Sequence, residues 1–157
     1  MSAQLIYDIV PLGSLIRYSD GTPKPPAQFN RELAAWQNRN GVGRLVRKDP
    51  LRDRPTHTSP ASITLHEGEV ASGGVVLVTL MRTHSVASDL RFEVIERPAF
   101  GAVRILQDHA DSIELLHLAE NRDAAERWLT QHRYSNVRLE DVTEDEVGAD
   151  AVEGRAA

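Results

Sequence analysis

Apolar residues at Phe29, Leu33 and Trp36 recur at i, i+4 and i+7, which is one face of a helix. Ala34 and Ala35 add helix propensity, and Asn40-Gly41 supplies a stop, because glycine fits the left-handed residue after a helix end. A second helix is predicted over residues 122–132. Asn121 is its N-cap, Asp123 sits near the positive end of its dipole, and Ala124, Ala125, Trp128 and Leu129 form its apolar stripe.

The period of two appears elsewhere. Residues 4–10, Gln-Leu-Ile-Tyr-Asp-Ile-Val, are rich in β-formers and predict a strand that Pro11 and Gly13 interrupt. Residues 14–18 and 43–47 predict two more short strands. Between them, Ser-Asp-Gly-Thr-Pro at 19–23 is a turn, and Pro23, Pro25 and Pro26 hold the chain extended. Residues 48–61 contain three prolines and many charges and predict a loop, the clearest boundary within the chain. Residues 63–66 are a short strand. Gly73-Gly74 then opens residues 75–82, which are apolar on both faces and predict a central strand. Residues 90–96 alternate cleanly, and 102–107, 113–119 and 137–142 complete the strands. Short links between successive strands imply an antiparallel meander.

The fold class predicted is α+β. A mainly antiparallel sheet of about five strands over residues 63–142 is covered by one packed C-terminal helix. An N-terminal strand-turn-helix unit extends that sheet or packs as a subdomain. In domain terms, residues 1–142 form a single domain, with a possible subdomain at 1–47, the loop at 48–61 and a sheet–helix core at 62–142. Residues 143–157 are acidic, then rich in Gly and Ala, and are expected to be a mobile tail.

Composition narrows the function. The 157 residues contain no Cys, which excludes disulfides, Cys-containing zinc sites, iron–sulfur clusters and thiol catalysis. The longest apolar run, residues 75–81, is too short for a membrane span of about 20 residues. The N-terminus has neither a basic region nor an apolar signal core, so a cytoplasmic protein is expected.

The net charge of −5 hides a split: residues 1–55 carry nine basic and five acidic side chains, residues 56–157 nine basic and eighteen acidic. The basic excess centres on residues 31–54. There Arg39, Arg44, Arg47, Lys48, Arg52 and Arg54 are candidate contacts for nucleic acid or another partner.

Constellations for catalysis or cofactors are not evident. The group Asp108, His109, Asp111, Glu114 and His117 lacks a metal-binding spacing, and no metal or cofactor is expected. His84, Ser85 and Asp89 share one polar loop, whereas working triads converge from separate elements. Gly41-Val42-Gly43 follows a helix and lacks the third glycine of a dinucleotide fingerprint.

The leading expectation is a non-catalytic interaction protein with a macromolecular partner: a protein, with nucleic acid contacted through the basic segment. One alternative is an anti-defence inhibitor that meets a nucleic-acid-handling complex through the acidic surface. The other is a small hydrolase or transferase using His84 or His117 with nearby carboxylates. A deep pocket holding one of these histidines beside a strongly shifted carboxylate would mark the enzyme. A large apolar or charged patch on a sheet would mark the binding protein.

Ile-Arg-Tyr-Ser-Asp-Gly-Thr-Pro-Lys-Pro-Pro at 16–26, Leu-Ala-Ala-Trp at 33–36 and Asn-Gly-Val-Gly-Arg-Leu-Val-Arg-Lys at 40–48 also carry a resemblance. Together with residues 61–66 and 88–98, they are similar to a group of bacterial proteins from conjugative and integrative mobile elements of proteobacteria. The resemblance implies an accessory protein concerned with transfer, maintenance or defence evasion. It carries no catalytic residue across.

Overall fold

A computed structural model describes residues 1–145; residues 146–157, most of the expected tail, lie outside the described residues. The chain is α+β, and its strand pairings are mainly antiparallel among the described residues. It divides into two compact units, Met1–Glu96 and Arg97–Ala157.

The first unit begins with a helix where a strand was expected. Helix α1 spans Ala3–Ile9, and Ser2 caps it by accepting a hydrogen bond from the Leu5 N–H at 3.2 Å. The β-forming residues of this segment conceal a second spacing: Ala3, Ile6 and Val10 fall at i, i+3 and i+7, and all are fully buried. Tertiary packing of that face outweighs the β-propensity of Ile and Val, with each fully buried aliphatic side chain contributing about 1.5–3 kcal/mol.

Strand β1 (Leu15–Ser19) is followed by the expected turn, where the Asp20 carboxylate accepts from both the amide and the hydroxyl of Thr22. Those bonds hold the Asp20 carboxyl down at about 2. Helix α2 (Asn30–Arg39) runs where its period placed it, yet it has no fully buried residue. Trp36 is half-buried and donates its indole N–H to the Thr22 carbonyl at 3.0 Å.

The stop at Asn40-Gly41 works differently from the expectation. Asn40 is extended (φ −140°, ψ 119°), and Gly41 opens strand β2 (Gly41–Asp49). The missing side chain at Gly41 makes room across the sheet: a Cβ there would lie 2.6 Å from the Tyr18 hydroxyl. The expected loop at 48–61 holds the end of β2 and a small hairpin, β3 (Arg52–Arg54) with β4 (His57–Ser59).

Long strands β5 (Ser62–Ser72) and β6 (Val75–Ser85) follow, then β7 (Arg91–Glu96). The order within this unit is β7-β1-β2-β5-β6. Its core joins α1 to the sheet through Ile6, Ile16, Tyr18, Leu45, Ile63, Leu65 and Phe92.

In the second unit, β8 (Val103–His109) lies between β9 (Ser112–Ala119) and β10 (Val137–Asp141). Helix α3 (Arg122–Gln131) covers them. Asn121 accepts the Ala124 N–H at 2.8 Å, and Ala124, Ala125, Trp128 and Leu129 face the core as their spacing required. The sheet strands number five in the first unit and three in the second, more than the five expected overall. Six of the eight lie within residues 62–142, and β1 and β2 from the N-terminal segment are the other two.

A candidate interaction arm and its polar root

Strand β6 is the main departure from expectation. Residues 75–81 are apolar on both faces and so read as a central strand. Instead, among the described residues, β6 pairs with β5 alone, at an edge of the unit. Val75, Val76, Leu77, Val78, Leu80 and Met81 are 44–62% exposed, and Val70 on the neighbouring strand is 49% exposed. Periodicity reports that both faces need cover; it does not report that the same chain provides it. The free part of the hairpin, residues 68–80, extends about 20 Å at roughly 3.3 Å per residue. Its tip is a two-residue turn in which Gly73 (φ 58°) and Gly74 (φ 82°) both take positive φ. That turn matches the twist of the two strands, and a register shift between Val70 and Ala71 leaves Leu77 as an extra residue in β6.

The arm is fixed at its root by polar groups. A bulge between His66 and Gly68 leaves Glu67 as an extra residue in β5. The Glu67 carboxylate accepts from the Tyr18 hydroxyl and from Arg82 Nε at 3.3 Å. Arg82 also donates to the Asn38 carbonyl at 3.1 Å, which ties β6 to the end of α2. Tyr18 is 1% exposed, and burial together with Glu67 pushes its phenol pKa upward. Gly41 and Gly43 give this cluster its space, since a Cβ at Gly43 would lie 2.8 Å from Leu65 Cβ.

His84 lies next to this root. Its ring is 4.6 Å from Tyr18 and meets Phe92 edge-on at 5.4 Å. It is 7% exposed, and its buried Nε2 has no hydrogen-bond partner. Burial depresses its pKa, Arg82 adds to the effect, and Glu67 opposes it. A surface depression of about 370 Å³ borders it, lined in part by Asn38, Arg39, Arg82, Ser85 and Ser88. These groups are engaged with the protein itself. Ser85 Oγ accepts from the Ala87 N–H at 3.1 Å, Ser88 Oγ accepts from the Leu90 N–H at 3.3 Å, and Asp89 holds Arg39.

Burial disfavours the protonated form of His84 in the folded chain, whereas the unfolded chain takes up a proton near pH 6.5. Below that pH the unfolded state binds more protons, so the stability contributed by neutral His84 is lost as the pH falls. His84→Phe keeps a ring against Tyr18 and Phe92 and removes the unpartnered nitrogen. Its melting temperature is expected to equal or exceed that of the parent at pH 7 and to fall less between pH 7 and pH 5. Parallel melting curves for the two proteins would disprove the linkage.

The other candidates are dispersed. Arg39 forks onto Asp89 at 3.1 and 3.2 Å and reaches Asp20 at 3.5 Å. Arg44 donates to the Gly13 carbonyl. Arg47 and Arg52 share the Asp49 carboxylate at 2.9 and 3.4 Å. Burial lowers the Lys48 pKa, and Arg54 is exposed on the small hairpin. In the second unit, His117 stacks on Trp128 at 5.3 Å, with His132 and Tyr134 stacked on the same indole. Among the described residues no group of three or more His, Asp or Glu could hold a metal ion, and no helix is long and apolar enough to cross a membrane.

An apolar hairpin rooted on the sheet of the first unit thus leaves residues 75–81 exposed in an α+β protein. The chain belongs to the family described as uncharacterised conserved protein UCP036055, whose model matches residues 1–146. Nothing matches among the curated proteins or among the solved structures.

Proposed function

We propose that this is an interaction protein that acts through a macromolecular partner, with the β5–β6 arm as its contact element. The observation that carries this reading is the exposure of residues 75–81 on a strand whose two faces are both apolar. The largest apolar patch on a typical monomer, about 300–600 Å², is often a functional one. The polar root ties the base of the arm to β1 and to the end of α2, which reduces the ordering needed on binding. The basic segment is a weaker contact surface, because Arg39, Arg47 and Arg52 already face carboxylates. In the setting implied by the resemblance to mobile-element proteins, the role is an accessory one.

A photo-crosslinking residue at Leu77 tests the reading in cells that carry the protein. A discrete crosslinked product is expected, with none from the same residue at the exposed Asp53. Identical patterns at the two positions would overturn the arm as the contact element.

A further inference from the structure

We propose that the depression beside His84 is a binding site for a small molecule bearing an oxyanion, a carboxylate or a phosphate group. The site stands apart from the apolar arm and from whatever the arm contacts.

Three stretches of chain meet there. Asn38 and Arg39 close helix α2, Arg82 and Ser85 belong to the end of β6, and Ser88 stands in the loop that leads to β7. The space between them is about 370 Å³, in the lower part of the range of about 300–1,000 Å³ for small-molecule sites.

The first argument is the hydrogen-bonding inventory. The Ser85 and Ser88 hydroxyls accept from the Ala87 and Leu90 N–H groups, at 3.1 and 3.3 Å. Accepting uses a lone pair and leaves each hydroxyl proton free to donate. Asn38 gives its side-chain oxygen to Arg82 at 3.5 Å and keeps both amide protons. Arg39 meets carboxylates through Nη2 and Nε, and its Nη1 protons are unspent among the described residues. The depression thus presents a surplus of donors from two elements and a loop. Such a set selects a group that only accepts, which is an ionised carboxylate or phosphate.

The second argument is charge. Two guanidinium groups, Arg39 and Arg82, stand at the depression. Arg82 also covers the Asn38 carbonyl at 3.1 Å, where the negative end of the α2 dipole lies. The partner of Arg39 is Asp89, whose side chain is 81% exposed. Exposed pairs of this kind contribute little to stability. An oxyanion that meets Arg39 together with the serine and amide donors gains more hydrogen bonds than Asp89 makes. Asp89 therefore acts as the chain's own stand-in for the ligand and as its competitor.

The third argument is His84. It lines the same depression, and its buried Nε2 has no partner in the protein. Unpaired buried nitrogens are costly, and a group bound from outside the chain is one of the few things that accounts for them.

Proton–nitrogen correlation NMR of the full chain, titrated with sodium phosphate and separately with sodium succinate, tests this. The Ala87 and Leu90 amides, which bond to the two serines, should shift and saturate with at least one salt. The Asn38 side-chain protons should shift with them. Sodium chloride at matched ionic strength should move none of these signals. Arg39→Gln should weaken binding at least about 10-fold, because a charge-assisted bond is lost. Asp89→Asn should tighten it about 3-fold by removing the competitor. Both side chains are largely exposed, so both variants should fold, and unchanged amide signals from β1 and β2 check this. Arg54→Gln, on the small hairpin, should leave the affinity as it is. Saturation with phosphate alone assigns a phosphate-bearing ligand, and saturation with succinate alone assigns a carboxylate-bearing one. Signals unmoved by both salts, moved equally by chloride, or moved as readily in Arg39→Gln would overturn the site.

Discussion

Gly41→Ala is expected to destabilise the first unit by about 1–3 kcal/mol, the range for overpacking a tight site. The added Cβ would lie 2.6 Å from the Tyr18 hydroxyl, 2.8 Å from its ring carbon and 3.0 Å from the Glu67 carboxylate. Tyr18 has no room to retreat, being 1% exposed and packed against His84 and Phe92. The methyl therefore acts twice, by strain and by parting Tyr18 from Glu67. At about 2–4 °C per kcal/mol for a chain of this size, the melting temperature should fall by several degrees. Gly68→Ala is the control. It lies nearby on β5, where the nearest atom to an added Cβ is 3.9 Å away, so overpacking should be absent. Equal melting temperatures for Gly41→Ala and the parent would show that the root relaxes freely.

Leu65→Ala should have the larger effect, about 2–5 kcal/mol, because it removes a fully buried side chain and leaves a cavity between sheet and helix. Leu77→Ala makes the same chemical change on the same hairpin at a position 62% exposed. Its effect should stay within about 0.5 kcal/mol. Urea unfolding of both variants checks the contrast. A comparable loss for the two would mean that the arm is folded back into the protein's own core.

The sequence makes some of this architecture plain. Helix α3 follows from Asn121 and the Ala124–Leu129 stripe, because capping and amphipathic period act locally and agree. Helix α2 follows from Phe29, Leu33 and Trp36, although its face is only half-buried. Helix α1 was concealed because Ile6, Tyr7, Ile9 and Val10 favour strands, and only packing against the sheet selects the helical spacing of Ala3, Ile6 and Val10. The hairpin β3–β4 was hidden among prolines and charges, which its short exposed strands tolerate.

The candidate site was half legible. Residues 75–81 stood out as an apolar run, but pattern alone does not tell a strand covered by its own fold from one left open. The root was not legible at all. Tyr18, Glu67 and Arg82 are far apart in sequence, and only the register of β1, β2, β5 and β6 brings them together. The one available signal was the pair Gly41 and Gly43, whose missing side chains mark a close approach. The basic segment illustrates the reverse: six cations close in sequence are spread over several elements, three of them facing carboxylates.

The two-residue turn at the arm's tip also sets an order of events during synthesis. Its strands are neighbours in sequence, so the hairpin closes a minimal loop and forms early. Strand β1 must wait for β7, emerging much later, before Ile16 can pair with Val94. The nascent chain therefore displays its stickiest element before its core is complete. During that interval the hairpin is exposed to neighbouring chains on the same message, a hazard that rises with translation density.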